Sequence, residues 1–551
     1  MTNANTLTID DLLQRLDDLN AIGIALSKER DTTRLLETIL LAAKGITNAD
    51  GGTLYLMQEE QGERTLKFEI MRTDSLHIAM GGTTGVPITF YPIHLIGKDG
   101  KPNNFMVVVY AVLHDETVNI ADAYTAEGFD FSGTKNFDKK TGYRSQSFLT
   151  VPMKNHENEI IGVLQLINAQ DKQTNAIIPF SAADQHMVES LASQAAIALT
   201  NRQLINQLEN LFESLIKLIN TAIDDKSPYT GGHCERVPTL SLMLADAVNR
   251  TAVGPLKDFQ MSETDRYELK IAALLHDCGK ISTPVHVVDK ATKLQTIFDR
   301  IDMIDARFEV LKRDAEIELL KARLESGPDS PATAELEQQF QERTHKIDED
   351  REYLRRCNLG GEFMAPELQE RVKQIGSGYT WQNSEGKLVP FLSEDEIYNL
   401  NIKAGTLTAE EREIINDHVV LTIKMLEELP WPKHLRNVSE YAGGHHERMD
   451  GKGYPRGLTR EQMSVQARIM GIADVFEALT AADRPYKKGK TLTESLSILG
   501  KMTLGAHIDA DLFDIFVREK IYLDYARQFL DPAQIDEVDE SKIPGFTLGA
   551  A

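Results

Sequence analysis

Little in this chain points to the cell exterior. It has three cysteines, Cys234, Cys278 and Cys357. They are too few for a disulfide framework and suit a reducing compartment. No run of about 18 apolar residues occurs, which argues against a transmembrane helix. The opening residues, Met1 to Thr6, lack the basic segment and apolar core of a signal peptide. A cytoplasmic chain without membrane insertion is predicted. Positive charge is also short: 60 Lys and Arg stand against 84 Asp and Glu, for a formal net charge of −24. That argues against DNA and other broad nucleic-acid binding, which needs a cationic surface. An anionic substrate would need bound cations and a few local basic groups to reverse the field inside one cleft.

What is present is ordinary for a soluble globular protein: 42% hydrophobic and 26% charged residues over 551 positions. That length suits two or three domains, each with its own core. Residues 8–44 read as helical, with Thr8 as cap and Leu12, Leu16 and Leu19 at helical spacing. The period then changes. Residues 52–57, 65–71, 105–113, 148–153 and 160–167 read as strands separated by Gly, Asn and Asp clusters. Helix, antiparallel strands, then helix predicts an α+β sensor module over 1–200.

A helix is expected over 184–226. Ile197, Asn201, Leu204, Leu208, Leu211, Leu215, Leu218 and Ala222 alternate by four and three along it. Such a heptad seam buries its leucines against another helix, and polar Asn201 fits register setting. A parallel homodimer is the expectation; a helix packed on its own domain is the alternative. In residues 291–402, Leu294, Ile297, Ile301, Ile304, Phe308 and Leu311 form one stripe and Leu336, Phe340, Ile347 and Leu354 another. Gly327-Pro328-Asp329-Ser330-Pro331 divides them, which predicts a helical hairpin.

The chemistry-bearing residues lie on either side of that stretch. His445-His446-Glu447-Arg448-Met449-Asp450-Gly451-Lys452-Gly453-Tyr454-Pro455 follows an upstream His276-Asp277-Cys278-Gly279-Lys280, and lone histidines stand at His233 and His418. Imidazoles supply neutral donors, and one carboxylate can bridge two cations, so the set suits a two-metal hydrolytic site.

At these residues the chain resembles the HD-GYP family, a branch of the HD-type metal-dependent phosphohydrolases. The likeness covers residues 227 to about 540. It includes Tyr229 to Val237 around His233, Leu407 to Arg412 before His418, Ala473 to Thr480, and Arg484-Pro485-Tyr486-Lys487. The resemblance implies an all-helical domain over 227–551, with residues 291–402 as an insertion between its two parts. It implies hydrolysis of a cyclic dinucleotide, chiefly cyclic di-GMP to linear pGpG. The alternatives are 3',3'-cyclic GMP-AMP, another phosphate ester, or a weakly catalytic regulator that binds a cyclic dinucleotide.

By the same resemblance one metal belongs to His233, His276, Asp277 and Asp474. A second belongs to Asp277, His418, His445 and His446, with Asp277 bridging and catalytic. Lys280 is assigned to a phosphate oxygen, the loop of Gly451, Gly453, Tyr454 and Pro455 to cleft shape, and Arg484 and Lys487 to substrate. Iron or manganese is expected. Some members carry a glutamate four residues before the first histidine and hold three metals; Tyr229 stands there, so two metals per chain are expected.

Residues 20–200 resemble a GAF domain of the cyclic-nucleotide phosphodiesterase type, through Thr141-Gly142-Tyr143-Arg144 and Ser147. That implies a small-molecule ligand, a cyclic nucleotide or other. Ala169 and Gln185 stand where that type carries Lys and Glu, so a ligand-free dimerisation or spacer module is the alternative.

Overall fold

Asp31 breaks the predicted N-terminal helix in two. Its carboxylate accepts from the Arg34 amide and caps α2 (Thr32–Thr47), separating it from α1 (Ile9–Lys28). This is a computed structural model, and it describes residues 9–29, 31–60, 62–226, 232–327, 331–361, 363–482 and 489–547. Thr8, Tyr229, Arg484 and Lys487 lie outside them. The chain divides into two units, Met1–Phe212 and Glu213–Ala551.

In the first unit, β1 (Ala49–Glu60), β2 (Glu63–Thr73) and β3 (Ile78–Gly81) lead to the short β4 (Ile93–His94). Then come α3 (Val107–His114), β5 (Val118–Ile120) and α4 (Ser132–Thr141). β6 (Phe148–Lys154), β7 (Ile160–Gln170) and β8 (Ile177–Ile178) complete the sheet. The strands pair antiparallel in the order β3-β2-β1-β7-β6-β5, with β4 on β2 and β8 on β7. Alternation puts Leu54 and Leu164 on one face, against α1, α2 and the start of α5 (Ala182–Lys226). Tyr55 and Val163 point to the other face, against Val108, Val109 and Val112 of α3.

The expected strand at 105–113 is therefore a helix. Its run is apolar on every side, and such a run carries no period that separates a buried strand from a buried helix. Burial of Val107, Val108, Val109, Ala111 and Val112 overrides the strand preference of β-branched residues.

Tyr143, Arg144 and Ser147, which carry part of the GAF resemblance, are joined through Asn168. Tyr143 donates to Asp50 Oδ2 at 2.5 Å, and Asn168 Nδ2 donates to Tyr143 Oη and to the Arg144 carbonyl, each at 2.8 Å. Asn168 Oδ1 in turn accepts from the Gln146 amide at 2.7 Å and the Ser147 amide at 3.2 Å.

The second unit is mainly helical. α6 (His233–Arg250), α7 (Glu263–Leu275), a 3-10 turn (Cys278–Ser282) and α8 (Val285–Val288) come first. The stretch 291–402 then holds α9 (Ile301–Ser326) and α10 (Pro331–Asn358). Ion pairs Lys312–Asp348, Glu318–Arg343 and Asp305–Arg351 link rising positions to falling ones, so the two helices run antiparallel as predicted. This stretch is more than a hairpin. It adds α11 (Pro366–Gly378), a β9–β10 ribbon (Thr380–Gln382, Leu388–Pro390) and α12 (Glu394–Leu400). Phe308, Ile347, Leu354, Val372 and Phe391 form a core of its own. Ile297 is not part of the stripe: it precedes α9 and is 95% exposed.

After the insertion come α13 (Ala409–Glu427), α14 (Val438–Gly443), α15 (Val465–Thr480), α16 (Leu492–Leu504), α17 (Ala510–Arg518) and α18 (Ile521–Phe529). Thr408 and Glu411 form a reciprocal capping box that starts α13, which carries His418. Among the described residues no helix is long and apolar enough to cross a membrane.

Candidate metal centre

Three helix ends and two helix interiors bring the predicted donors together. His233 opens α6, His276 and Asp277 follow the end of α7, His418 lies in α13, His445 and His446 follow α14, and Asp474 lies within α15. His233 Nε2 is 3.2 Å from His276 Nε2, 3.3 Å from Asp277 Oδ2 and 3.4 Å from Asp474 Oδ1. On the other side, His418 Nε2 is 3.2 Å from Asp277 Oδ1. Donor atoms of His418, His445 and His446 all lie within 4.8 Å of one another. Asp277 thus turns one oxygen to each cluster. Asp474 does the same less closely, with Oδ2 4.0 Å from His446 Nδ1.

The imidazoles are oriented from behind. His276 Nδ1 donates to the Ala273 carbonyl at 2.8 Å, His445 Nδ1 to the Ala442 carbonyl at 2.5 Å, and His418 Nδ1 to the Ile415 carbonyl. A carbonyl only accepts, so each Nδ1 carries the proton and each Nε2 presents a lone pair. Asp277 Oδ1, His418 Nε2 and His445 Nε2 are buried and have no hydrogen-bond partner. Lone pairs facing one another in a buried space are unfavourable unless a cation lies between them. The donor set, imidazole nitrogen with carboxylate oxygen, fits divalent transition metals.

The charge states agree. Burial drives His445 well below its usual range, and burial brings His446 to about 4 despite Asp474. Burial opposes ionisation of Asp277, yet Lys280 and His276 hold it well below the usual carboxylate range. Asp474 is also held low, by His446 and His233 against its burial. Neutral imidazoles and ionised carboxylates are the forms that bind metal. His233 differs. Burial lowers it, but Asp277 and Glu477 outweigh burial and raise it to about 10. The same field favours a divalent cation in place of that proton.

Sequence reasoning assigned no role to Glu477. It is buried, accepts from His233 Nδ1 at 2.5 Å and binds Arg236 at 2.7 Å. Its one available signal was its place three residues after Asp474, on the same face of α15. Glu447 was also passed over. It accepts from the Arg456 and Leu458 amides at 2.7 and 2.8 Å and so holds the turn around Tyr454.

A cleft of about 250 Å³ opens over the centre, lined in part by His233, Lys280, His446, Tyr454 and Asp474. Lys280 faces it as expected, with its ammonium 2.6 Å from Asp277 Oδ2. The Tyr454 ring lies 4.9 Å from that of His446. Gly451, Gly453 and Pro455 are not among the lining residues; they lie in the loop that carries Tyr454. Gly451 has φ +72°, and a Cβ on Gly453 would lie 2.5 Å from Glu447 Cα.

Comparison with known proteins agrees with this arrangement. A GAF domain profile matches residues 31–199, and two profiles, each described as HD domain, match residues 230–351 and 394–512. The chain carries a GAF domain and an HD domain. The first HD match runs through α9 and most of α10, the second begins at α12, and residues 352–393 lie between them. Similar proteins include the 3'3'-cGAMP-specific phosphodiesterase 3 of Vibrio cholerae, 34% identical over 58% of this chain and 42% of that protein. The 3'3'-cGAMP-specific phosphodiesterase 1 of the same organism is 47% identical over 15% of this chain and 19% of that protein. A cyclic di-GMP phosphodiesterase of Thermotoga maritima is 36% identical over 22% of this chain and 34% of that protein. The chain spans less than half the length of each of these relatives. The GAF and HD resemblances read from the sequence are both borne out.

Proposed function

We propose that this chain is a metal-dependent phosphodiesterase that opens a cyclic dinucleotide. The observation that carries the reading is Asp277, whose two oxygens face two separate imidazole clusters. The proposed ligands are His233, His276, Asp277 and Asp474 for one ion, and Asp277, His418, His445 and His446 for the other. Two such cations, iron or manganese, would lower the pKa of a water and steady the attacking and leaving oxygens. Water adds at phosphorus, one P–O bond of the ring breaks, and the released ribose oxygen takes up a proton. Lys280 serves as a phosphate contact beside Asp277, and Tyr454 bounds the cleft by packing on His446. Arg484 and Lys487 are proposed as substrate contacts from sequence alone. The cleft is smaller than the roughly 300 Å³ at the low end of small-molecule sites. It suits one reacting phosphodiester, with the rest of the ring against its rim.

Cyclic di-GMP, cut to linear pGpG, is the substrate favoured by the HD-GYP resemblance. Cyclic GMP-AMP is the second reading, favoured by the two relatives named for it. Anaerobic purification, metal analysis and an assay against a panel of cyclic dinucleotides test this. Binding without turnover in the presence of iron or manganese would replace the enzyme by a regulator.

The domains are proposed as a GAF sensor over 1–200, a helical linker over 184–226 and a phosphohydrolase over 227–551. GAF control through a homodimeric linker is part of the same reading. Leu204, Leu208, Leu211, Leu215 and Leu218 are between 45% and 65% exposed along α5. Burying such side chains gains about 1.5–3 kcal/mol each, which a second helix would supply. Leu208→Asp with Leu215→Asp should make the chain monomeric by light scattering while metal content is kept. A variant that remains dimeric would remove the seam from the interface.

A further inference from the structure

The insertion contains a second cleft, of about 490 Å³, far larger than the one over the donors and separate in its residues. Its wall is unusual for a chain of net charge −24. Lys293, Arg356, Arg371 and Lys403 line it, and no carboxylate does among the described residues. Lys293 is spoken for: its buried ammonium donates to the Leu400 and Ile402 carbonyls at 3.0 and 2.8 Å. It closes the end of α12, as a cation at a helix C-terminus should. Arg371 is anchored by Asp350 at 3.4 Å and stacked 4.1 Å over the Tyr353 ring. Arg356 and Lys403 are exposed and make no ion pair among the described residues, which do not include Glu362.

Apolar surface adjoins these cations. Leu359 is 63% exposed, Phe363 72% and Leu368 43%, and all three belong to the same wall. Large apolar side chains beside two cations that pair with no described residue form, on one concave surface, the two halves of an amphiphile site. Arg forks and a lysine ammonium suit the oxygens of phosphate or carboxylate. We propose that this cleft binds a small organic anion, its phosphate or carboxylate head on Arg356, Lys403 and the free edge of Arg371, and its apolar body on Leu359, Phe363 and Leu368. The site stands independently of the metal centre.

Lys293 lies three residues after Lys290, whose buried ammonium pairs with Glu411 at 2.7 Å. Glu411 caps the helix carrying His418.

Cys357 provides a local readout. It lines the cleft and is partly exposed, whereas Cys234 and Cys278, the other two thiols, are buried. Alkylation of the full chain by neutral N-ethylmaleimide is followed at Cys357 by peptide mass spectrometry. The probes are 1-naphthyl phosphate and 1-naphthoate, with 1-naphthol, inorganic phosphate and anionic phospholipid vesicles as comparisons. Either naphthyl anion at about ten times its Kd should slow labelling about tenfold, by mass action. Naphthol, inorganic phosphate and vesicles should leave the rate unchanged. Arg356→Glu with Lys403→Glu, both at exposed positions, should abolish the protection while circular dichroism stays the same. Unchanged labelling with both anions, equal protection by naphthol, protection by vesicles alone, or protection that survives the charge reversal would each overturn the proposal.

Discussion

The two units each bury a knot of polar side chains, and the knots differ in kind. Around Asn168 in the GAF domain every group meets a complement: the amide oxygen takes two backbone N–H groups, and the amide nitrogen gives to a hydroxyl and a carbonyl. Around Asp277 in the HD domain, acceptor faces acceptor, and three buried atoms have no partner. The first pattern is how a fold satisfies its own polar groups. The second is how a fold holds a place for something positive. The contrast teaches that burial and polarity do not mark a site; the sign of the mismatch does.

The strongest way to break the comparison is Asp277→Ala. A carboxylate facing both clusters serves two ions, so bound metal should fall from about two per chain and turnover should drop at least about a thousandfold. Elemental analysis and a phosphodiesterase assay decide it; full metal with a normal rate would remove Asp277 from the centre. Three metals in active wild-type protein would overturn the expected count, and Tyr229→Glu is then the informative companion. Next is Glu477→Gln. It leaves the donors in place but weakens the partner behind His233, so metal affinity should fall about 10–100-fold in a chelator competition.

On the other side of the comparison, Asn168→Ala strands several buried groups and should lower the stability of the GAF domain by about 3 kcal/mol, with bound metal unchanged. Denaturant unfolding with metal analysis tests both halves. The smallest test lies in the HD domain. Asp509 is fully buried, but Arg460 and Arg468 satisfy it. Burial opposes its ionisation, and the two arginines still hold its pKa below the usual value. A depressed folded pKa contributes stability above the unfolded pKa and loses it as pH falls through the folded value. Asp509→Asn should therefore cost about 2–3 kcal/mol near neutral pH, and less as the solution is acidified. An equal loss at all pH values would show that the carboxylate's charge is not what matters.

His276-Asp277 and His445-His446 were legible as short local strings, whereas His233, His418 and Asp474 were placed with them through the HD-GYP resemblance. Glu477 was not legible, because its partner His233 is 244 residues away and no string joins them. The strands at 52–57, 65–71, 148–153 and 160–167 were read through alternation and turn residues, and each is present with somewhat longer bounds. The helix at Val107–His114 was misread because an all-apolar run has no period to read. Ile297 kept the right spacing but lies before its helix begins, so spacing alone put it in the wrong stripe.

The carbonyl bonds behind His276, His418 and His445 have one further consequence. Each accepting carbonyl lies three residues back in the same segment, so the aim of the donor is fixed within a single turn. If one of these helices slides or tilts as a rigid body, its nitrogen travels with it and its aim relative to that helix is kept. Distances between donors then change while their aim within each helix is kept. His233 is different: it takes its aim from Glu477 on another helix, so it is the donor whose direction depends on how α6 and α15 are aligned.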